Sequence, residues 1–201
     1  MKKQFIFASL IFSFFVMIFL QFNCSSNEGK KPMTEAEMVA HGKYLVNLGG
    51  CNDCHSPKIF TRMGPMPDTT RLLSGHPADS KLNKIDTTVT DSKWVYTSMD
   101  NTTWVGPWGV SFTANLTPDG PTGTGNWTAD IFIKAMRTGK HMGFGRNLLP
   151  PMPWQGIGQL KDDDLKAIFA YLHSLPPIKN QVPDPIPPNM IAQVVNMKKM
   201  K

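Results

Sequence analysis

Cys51-Asn52-Asp53-Cys54-His55 decides how this chain is read. A C-x-x-C-H pentapeptide is the attachment signature of a covalently bound haem. The two thiols add to the vinyl groups of the porphyrin, and the adjacent imidazole falls beneath the iron as its proximal ligand. Two other chemistries use C-x-x-C. Zinc needs a second ligand pair, and the one further cysteine is Cys24. A redox dithiol needs a βαβ setting, which the flanking sequence does not offer. The pattern therefore assigns Cys51 and Cys54 to one haem c and His55 to its iron.

Working outward on the N-terminal side, Thr34-Glu35-Ala36-Glu37 matches a capping box, a threonine followed three places later by a glutamate. The helix it opens runs to Leu48, with Met38, Tyr44, Leu45 and Leu48 on one face or its flanks. Gly42 inside that helix costs stability and points to a close helix crossing. Gly49-Gly50 ends the helix and delivers the chain to Cys51.

On the C-terminal side, residues 56–112 show little periodicity. Pro57, Pro65, Pro67 and Pro77 forbid long helices. Short strands are expected at Leu82–Val89 and Lys93–Tyr96. Trp94, Trp104 and Trp108 need covering, and two readings are open. The insert either walls an edge of the haem or forms a satellite core under a long loop.

Asn115 to Gly125 reads as a turn-rich loop. A helix then begins near Thr128 or Ala129, with Ile131, Phe132, Ala135 and Met136 on its apolar side and Gly139 at its end. Arg137 and Lys140 in the last turn suit the helix dipole. Residues 141–158 return to loop. The last helix opens on Lys161-Asp162-Asp163-Asp164, buries Leu165, Ile168, Phe169 and Leu172 at i, i+3, i+4 and i+7, and stops at Pro176-Pro177. A proline-rich strap or tether follows.

A six-coordinate iron needs a distal ligand, and the chain offers thirteen methionines and four further histidines, His41, His76, His141 and His173. Met152 leads, because Pro150, Pro151 and Pro153 fix the backbone around a weak thioether donor. Met142 is second, in a loop loosened by Gly143 and Gly145. Surface or capping roles suit the other histidines, a helix-end contact in the case of His173. Asn115, Trp127 and Arg137 are possible haem-pocket or propionate contacts.

The N-terminus speaks to the compartment. Lys2 and Lys3 precede an apolar run from Phe5 to Phe22, an export signal or membrane anchor. Cys24, just beyond it, resembles the lipid-attachment cysteine of bacterial lipoproteins. Cleavage with lipidation, an uncleaved anchor helix and ordinary cleavage all export the rest of the chain. The formal charge of +6 comes from scattered basic residues, which gives no argument for nucleic acid. Charged residues make up 18% of the chain while Gly and Pro are plentiful, so long irregular stretches are expected rather than a dense bundle.

The C-x-x-C-H motif, Asn115-Leu116-Thr117-Pro118, Gly123 to Trp127, Phe132 to Gly139, Leu149 to Trp154 and the closing helix together resemble bacterial exported c-type cytochromes. The resemblance spans residues 35–180 and is weakest over 56–112. It is nearest to single-haem domains of the cytochrome subunits of membrane-bound alcohol and aldehyde dehydrogenases, although such subunits usually carry several haems and this chain has one C-x-x-C-H. It implies a mainly α cytochrome c fold, N- and C-terminal helices packed around one haem, with a long irregular insert. It also implies His55 and Met152 as axial ligands, and electron transfer rather than catalysis by the chain itself. Expected partners are a dehydrogenase, an oxidase or another cytochrome, with the protein on the periplasmic face of a membrane. The expected organisation is an export segment (1–23), a tether (24–33), the cytochrome domain (34–177, insert 56–112) and a proline-rich tail (178–201). A haem that sheds Met152, as a small-ligand sensor or peroxidase-like component, is the competing function.

Overall fold

Thr34 caps the first helix as its sequence dictates. Its hydroxyl accepts from the Glu37 N–H, and the Glu37 carboxylate accepts from the Thr34 N–H. The computed structural model describes residues 31–80 and 93–191, and the expected export segment and Cys24 lie outside them. Met1–Met33 and Thr34–Lys201 are separate units. The helices of the second unit are α1 (Glu35–Leu48), α2 (Cys51–His55), α3 (Ala129–Thr138), α4 (Trp154–Ile157) and α5 (Asp162–His173). Its strands are β1 (Lys58–Thr61), β2 (Gly64–Pro67), β3 (Tyr96–Thr97), β4 (Thr103–Gly106) and β5 (Gly109–Phe112). Among the described residues no helix is long and apolar enough to cross a membrane.

The expected crossing at Gly42 is the main helical contact. A Cβ placed there would run into the Ala167 carbonyl of α5 and lie 2.9 Å from the Tyr171 Cβ. Close approach at a glycine lets α1 and α5 pack more extensively than any other pair of elements. It also sets which face of α1 is buried. Val39, Gly42 and Val46 form the seam, while Tyr44 and Leu48, expected on the apolar side, face solvent. His41 Nε2 meets Asp164 Oδ1 at 2.7 Å and ties the same two helices at their rim. The main core joins Val46, Leu73, Phe132, Ala135, Met136, Leu165, Ile168, Tyr171 and Leu172.

The expectation of a mainly α chain holds only in part, because 56–112 is more regular than its sequence suggested. β1 and β2 form an antiparallel hairpin directly after α2, and β3, β4 and β5 form a three-stranded antiparallel sheet. The strand expected at 93–96 is confined to Tyr96–Thr97, and 82–89 lies outside the described residues. Of the two readings of the insert, a satellite core is present, but aliphatic residues and Phe112 build it. Val105, Val110, Phe112 and Ile191 are buried together, with Val182 and Ile186 against them. Trp94 is 72% exposed. The chain after α5 contributes half of this cluster. It runs as a strap and exchanges backbone hydrogen bonds between Val110 and Ile186 at 2.8 and 2.9 Å.

Candidate haem-attachment site

Gly50 opens the site. Its left-handed backbone (φ 64°) turns the chain from the end of α1 into α2, which carries the whole Cys51–His55 pentapeptide in little more than one turn. Positions i and i+3 on a helix face the same way, so Cys51 and Cys54 present both thiols to one side. They are not disulfide-bonded, and each is half-buried. Burial pushes both thiols above the ordinary cysteine value, and neighbouring Asp53 adds to this. A reactive dithiol needs the opposite shift. Among the described residues no cluster of three or more His, Cys, Asp or Glu side chains is placed to hold a metal ion.

His55 is buried at the end of α2. Its ring Nδ1 lies 2.8 Å from the Ala114 carbonyl, so Nδ1 carries the proton and donates it. Nε2 then holds the lone pair that an iron would take, the usual division of labour in a ligating imidazole. Burial lowers the pKa of this ring, which favours the neutral, ligating form. The residue's own carbonyl accepts from the Gly75 N–H at 2.7 Å. Ser56 Oγ, which donates to Asn52 Oδ1, accepts from the Leu73 N–H at 2.9 Å. Thr113 O accepts from the His76 N–H, and Leu73 O from the Leu116 N–H. Segment 73–76 is thus clamped between α2 and residues 113–116. Gly75 is required in this clamp. Its φ is +80°, and a Cβ would crowd the backbone of Thr113 and Ala114 at 2.5–2.7 Å.

Asn115 stands next to the carbonyl that orients His55. Its Oδ1 accepts from the Thr117 N–H and hydroxyl, and its Nδ2 donates to Thr122 Oγ1 and Ile178 O. Arg137 donates to the carbonyls of Gly158 and Leu160 and to Asp162 Oδ1, joining the end of α3 to the start of α5. Trp127 is half-buried against the main core, with its ring edge-on to His141 at 5.2 Å.

Met152 is half-buried and packs against the same core cluster as Cys51. Its loop is latched to the insert: Trp108 Nε1 donates to Ser111 Oγ, which donates to the Pro150 carbonyl at 2.7 Å. Met142 does not pack on that cluster. The loop around it is tighter than its glycines suggested. His141 N–H donates to Arg146 O, Gly145 N–H to His141 O, and Lys140 pairs with Asn147. His173 donates to Thr124 O at 3.0 Å rather than serving only the helix end. His76 is buried with Nδ1 2.8 Å from Thr102 Oγ1.

No family model matches the chain. Curated relatives do. A nicotinate dehydrogenase subunit of Pseudomonas putida is 38% identical over 148 residues, 74% of this chain and 9% of that protein. The gluconate 2-dehydrogenase cytochrome c subunit of Pantoea cypripedii is 30% identical over 70% of this chain and 24% of its own length. The cytochrome c subunit of the quinone alcohol dehydrogenase of Komagataeibacter europaeus is 33% identical over 80% of this chain and 30% of its own length. The chain therefore spans less than a third of each of these relatives. Over most of its own residues it is similar to segments of dehydrogenase subunits, two of which are named as cytochrome c subunits.

Proposed function

We propose that this chain transfers electrons through a single covalently attached haem c, held by Cys51 and Cys54 and ligated by His55 and Met152. The observation that carries the reading is the buried imidazole. It sits on the same helix turn as two half-buried thiols, with Nδ1 committed to Ala114 O and Nε2 left as the donor. The presence of one C-x-x-C-H supports one haem. When bound, the haem supplies a one-electron ferrous–ferric couple. His55 and the main-chain clamp behind it hold one side of the iron at fixed geometry. Met152, a neutral thioether beside an apolar core, favours the less charged ferrous form. Asn115 serves by locking the loop that carries Ala114 O, and Arg137 by joining α3 to α5. Trp127 is the remaining choice for a propionate contact.

The relatives' names support a dehydrogenase as partner, with an oxidase or another cytochrome as the next carrier. The apolar segment 5–22 and Cys24 support export and a lipid tether at the periplasmic face of a membrane. Such a tether raises the local concentration of the carrier near membrane-bound partners. The proposed organisation keeps residues 1–23 as the export segment, 24–33 as the tether, 34–177 as the cytochrome domain and 178–201 as the tail.

The test is spectroscopic. Ferric protein is expected to show the near-infrared methionine–iron band, and ferrous protein to ignore carbon monoxide. Met152→Ala removes the band and admits carbon monoxide while the haem stays attached. A band that survives in this variant moves the distal ligand to Met142. Rapid carbon monoxide binding by the unaltered protein would replace electron carriage with ligand sensing or peroxidase-like chemistry.

A further inference from the structure

Lys58 is the third residue after His55 and the first of β1. Its side chain folds back onto the haem helix. The Nζ donates to Asn52 O at 3.1 Å, to Asp53 O at 3.0 Å and to Ser56 O. These carbonyls belong to the C-terminal end of α2 and the residue just past it, where a helix has acceptors without partners. An ammonium has three N–H donors and no acceptor. A neutral amine has only two, so a set of three carbonyl acceptors selects the charged form. The negative end of the helix dipole acts in the same direction. Partial burial lowers the pKa of this ammonium, and the carboxylates of Asp100 and Asp53 act against that lowering.

We propose that Lys58 is a positioning residue for the haem helix, and that its fixed positive charge biases the attached iron toward the ferrous state. The inference rests on the haem reading above. A cation near the couple opposes adding the positive charge that oxidation creates, whereas a carboxylate in the same place assists it. Lys58 lies against α2, the helix that carries Cys54, and Asp100 and Asp53 are the acidic groups that offset it. The three hydrogen bonds hold the ammonium in place, so its field is not averaged away as it is for a solvated lysine.

The experiment uses the full-length, haem-loaded protein and compares midpoint potentials. Lys58→Met, which keeps the stem and drops the charge, is expected to disfavour the ferrous form about tenfold, a fall of about 59 mV for one electron. Lys58→Arg keeps the charge and is expected to stay within a third of that shift. Asp100→Asn, which leaves Lys58 in place, is expected to raise the potential. Amide exchange at Asp53 to Ser56 should quicken in Lys58→Met and not in Asp100→Asn. Haem-loaded Lys58→Met at the unaltered potential overturns the proposal. So does an Lys58→Arg shift as large as that of Lys58→Met, or Asp100→Asn that leaves the potential fixed or lowers it. If Lys58→Met does not take up haem, Lys58→Arg and Asp100→Asn still decide the question. A colourless protein with both thiols free would defeat the haem reading itself, an outcome visible in the absorbance before any potential is measured.

Discussion

His55 and Met152 are mounted by different means. Main-chain groups hold His55 at both ends of the residue: Ala114 O takes the ring N–H, and the Gly75 N–H takes the carbonyl. Those groups sit on segments that bond one another, so the mount has no adjustable part. Met152 hangs from a run of prolines. Its N–H reaches Leu149 O at a long 3.3 Å, and one side chain, Ser111, latches the loop from the insert. The thioether ligand proposed for this position would need presentation more than force, and the proline run supplies it at low entropic cost. The difference implies that damage behind His55 unmakes the fold, whereas damage around Met152 opens the site and leaves the fold standing.

The largest effect is expected at Gly75. Gly75→Ala adds a Cβ at φ +80° against the backbone of Thr113 and Ala114. Left-handed strain and overpacking together cost about 3 kcal/mol. Denaturant unfolding of the haem-loaded protein reads this loss, and an unchanged midpoint would show that segment 73–76 is not a rigid part of the mount. Ser111→Ala should cost less, about 2 kcal/mol for the two hydrogen bonds its hydroxyl makes. On warming, its near-infrared methionine–iron band should vanish well below the temperature at which far-ultraviolet dichroism reports unfolding. If the two transitions coincide, the latch belongs to the whole fold and the contrast fails.

The smallest effect is a pH dependence. Burial lowers the pKa of His141 and of His173 on α5, as it does that of His55. The unfolded chain therefore takes up these protons first. Stability is complete above about pH 6.5, the ordinary histidine value, and falls as the pH drops below it. His173→Gln, which can still donate to Thr124 O, should flatten that decline in an unfolding series from pH 7 to pH 5. An identical slope in the variant would assign the acid sensitivity to the other lowered histidines, His55 and His141.

How much of this was legible depended on whether side chains carried the signal. The capping box at Thr34, the crossing at Gly42, the helix start near Thr128 and the buried Leu165, Ile168 and Leu172 appear where the sequence puts them, while Phe169 of the same stripe is only half-buried. The clamp behind His55 is made of Ala114 O, the Gly75 N–H and Leu73, and a carbonyl or amide leaves no mark in a sequence. Asn115 stood out as a polar residue near the pocket. Its amide is spent inside its own loop and on Ile178, so its part is one step back from the haem. Arg137 was placed at a helix end on charge alone. The three acceptors that capture it come from residues 158–162, a separation no local pattern reports. The hairpins at 58–67 and 103–112 are short and rich in Pro and Gly, too brief for alternation to register.

The pairing of Val110 with Ile186 has a bearing on the order of assembly. A polypeptide made N-terminus first releases Cys51 and Cys54 early and the main-chain clamp on His55 by residue 116, long before Ile178 is free to secure Asn115 or Ile186 to close on the sheet. Until that closure, the sheet that anchors Pro150 lacks its last strand-like neighbour. The Met152 side is therefore the late side, the flank from which the proposed haem would enter before closure.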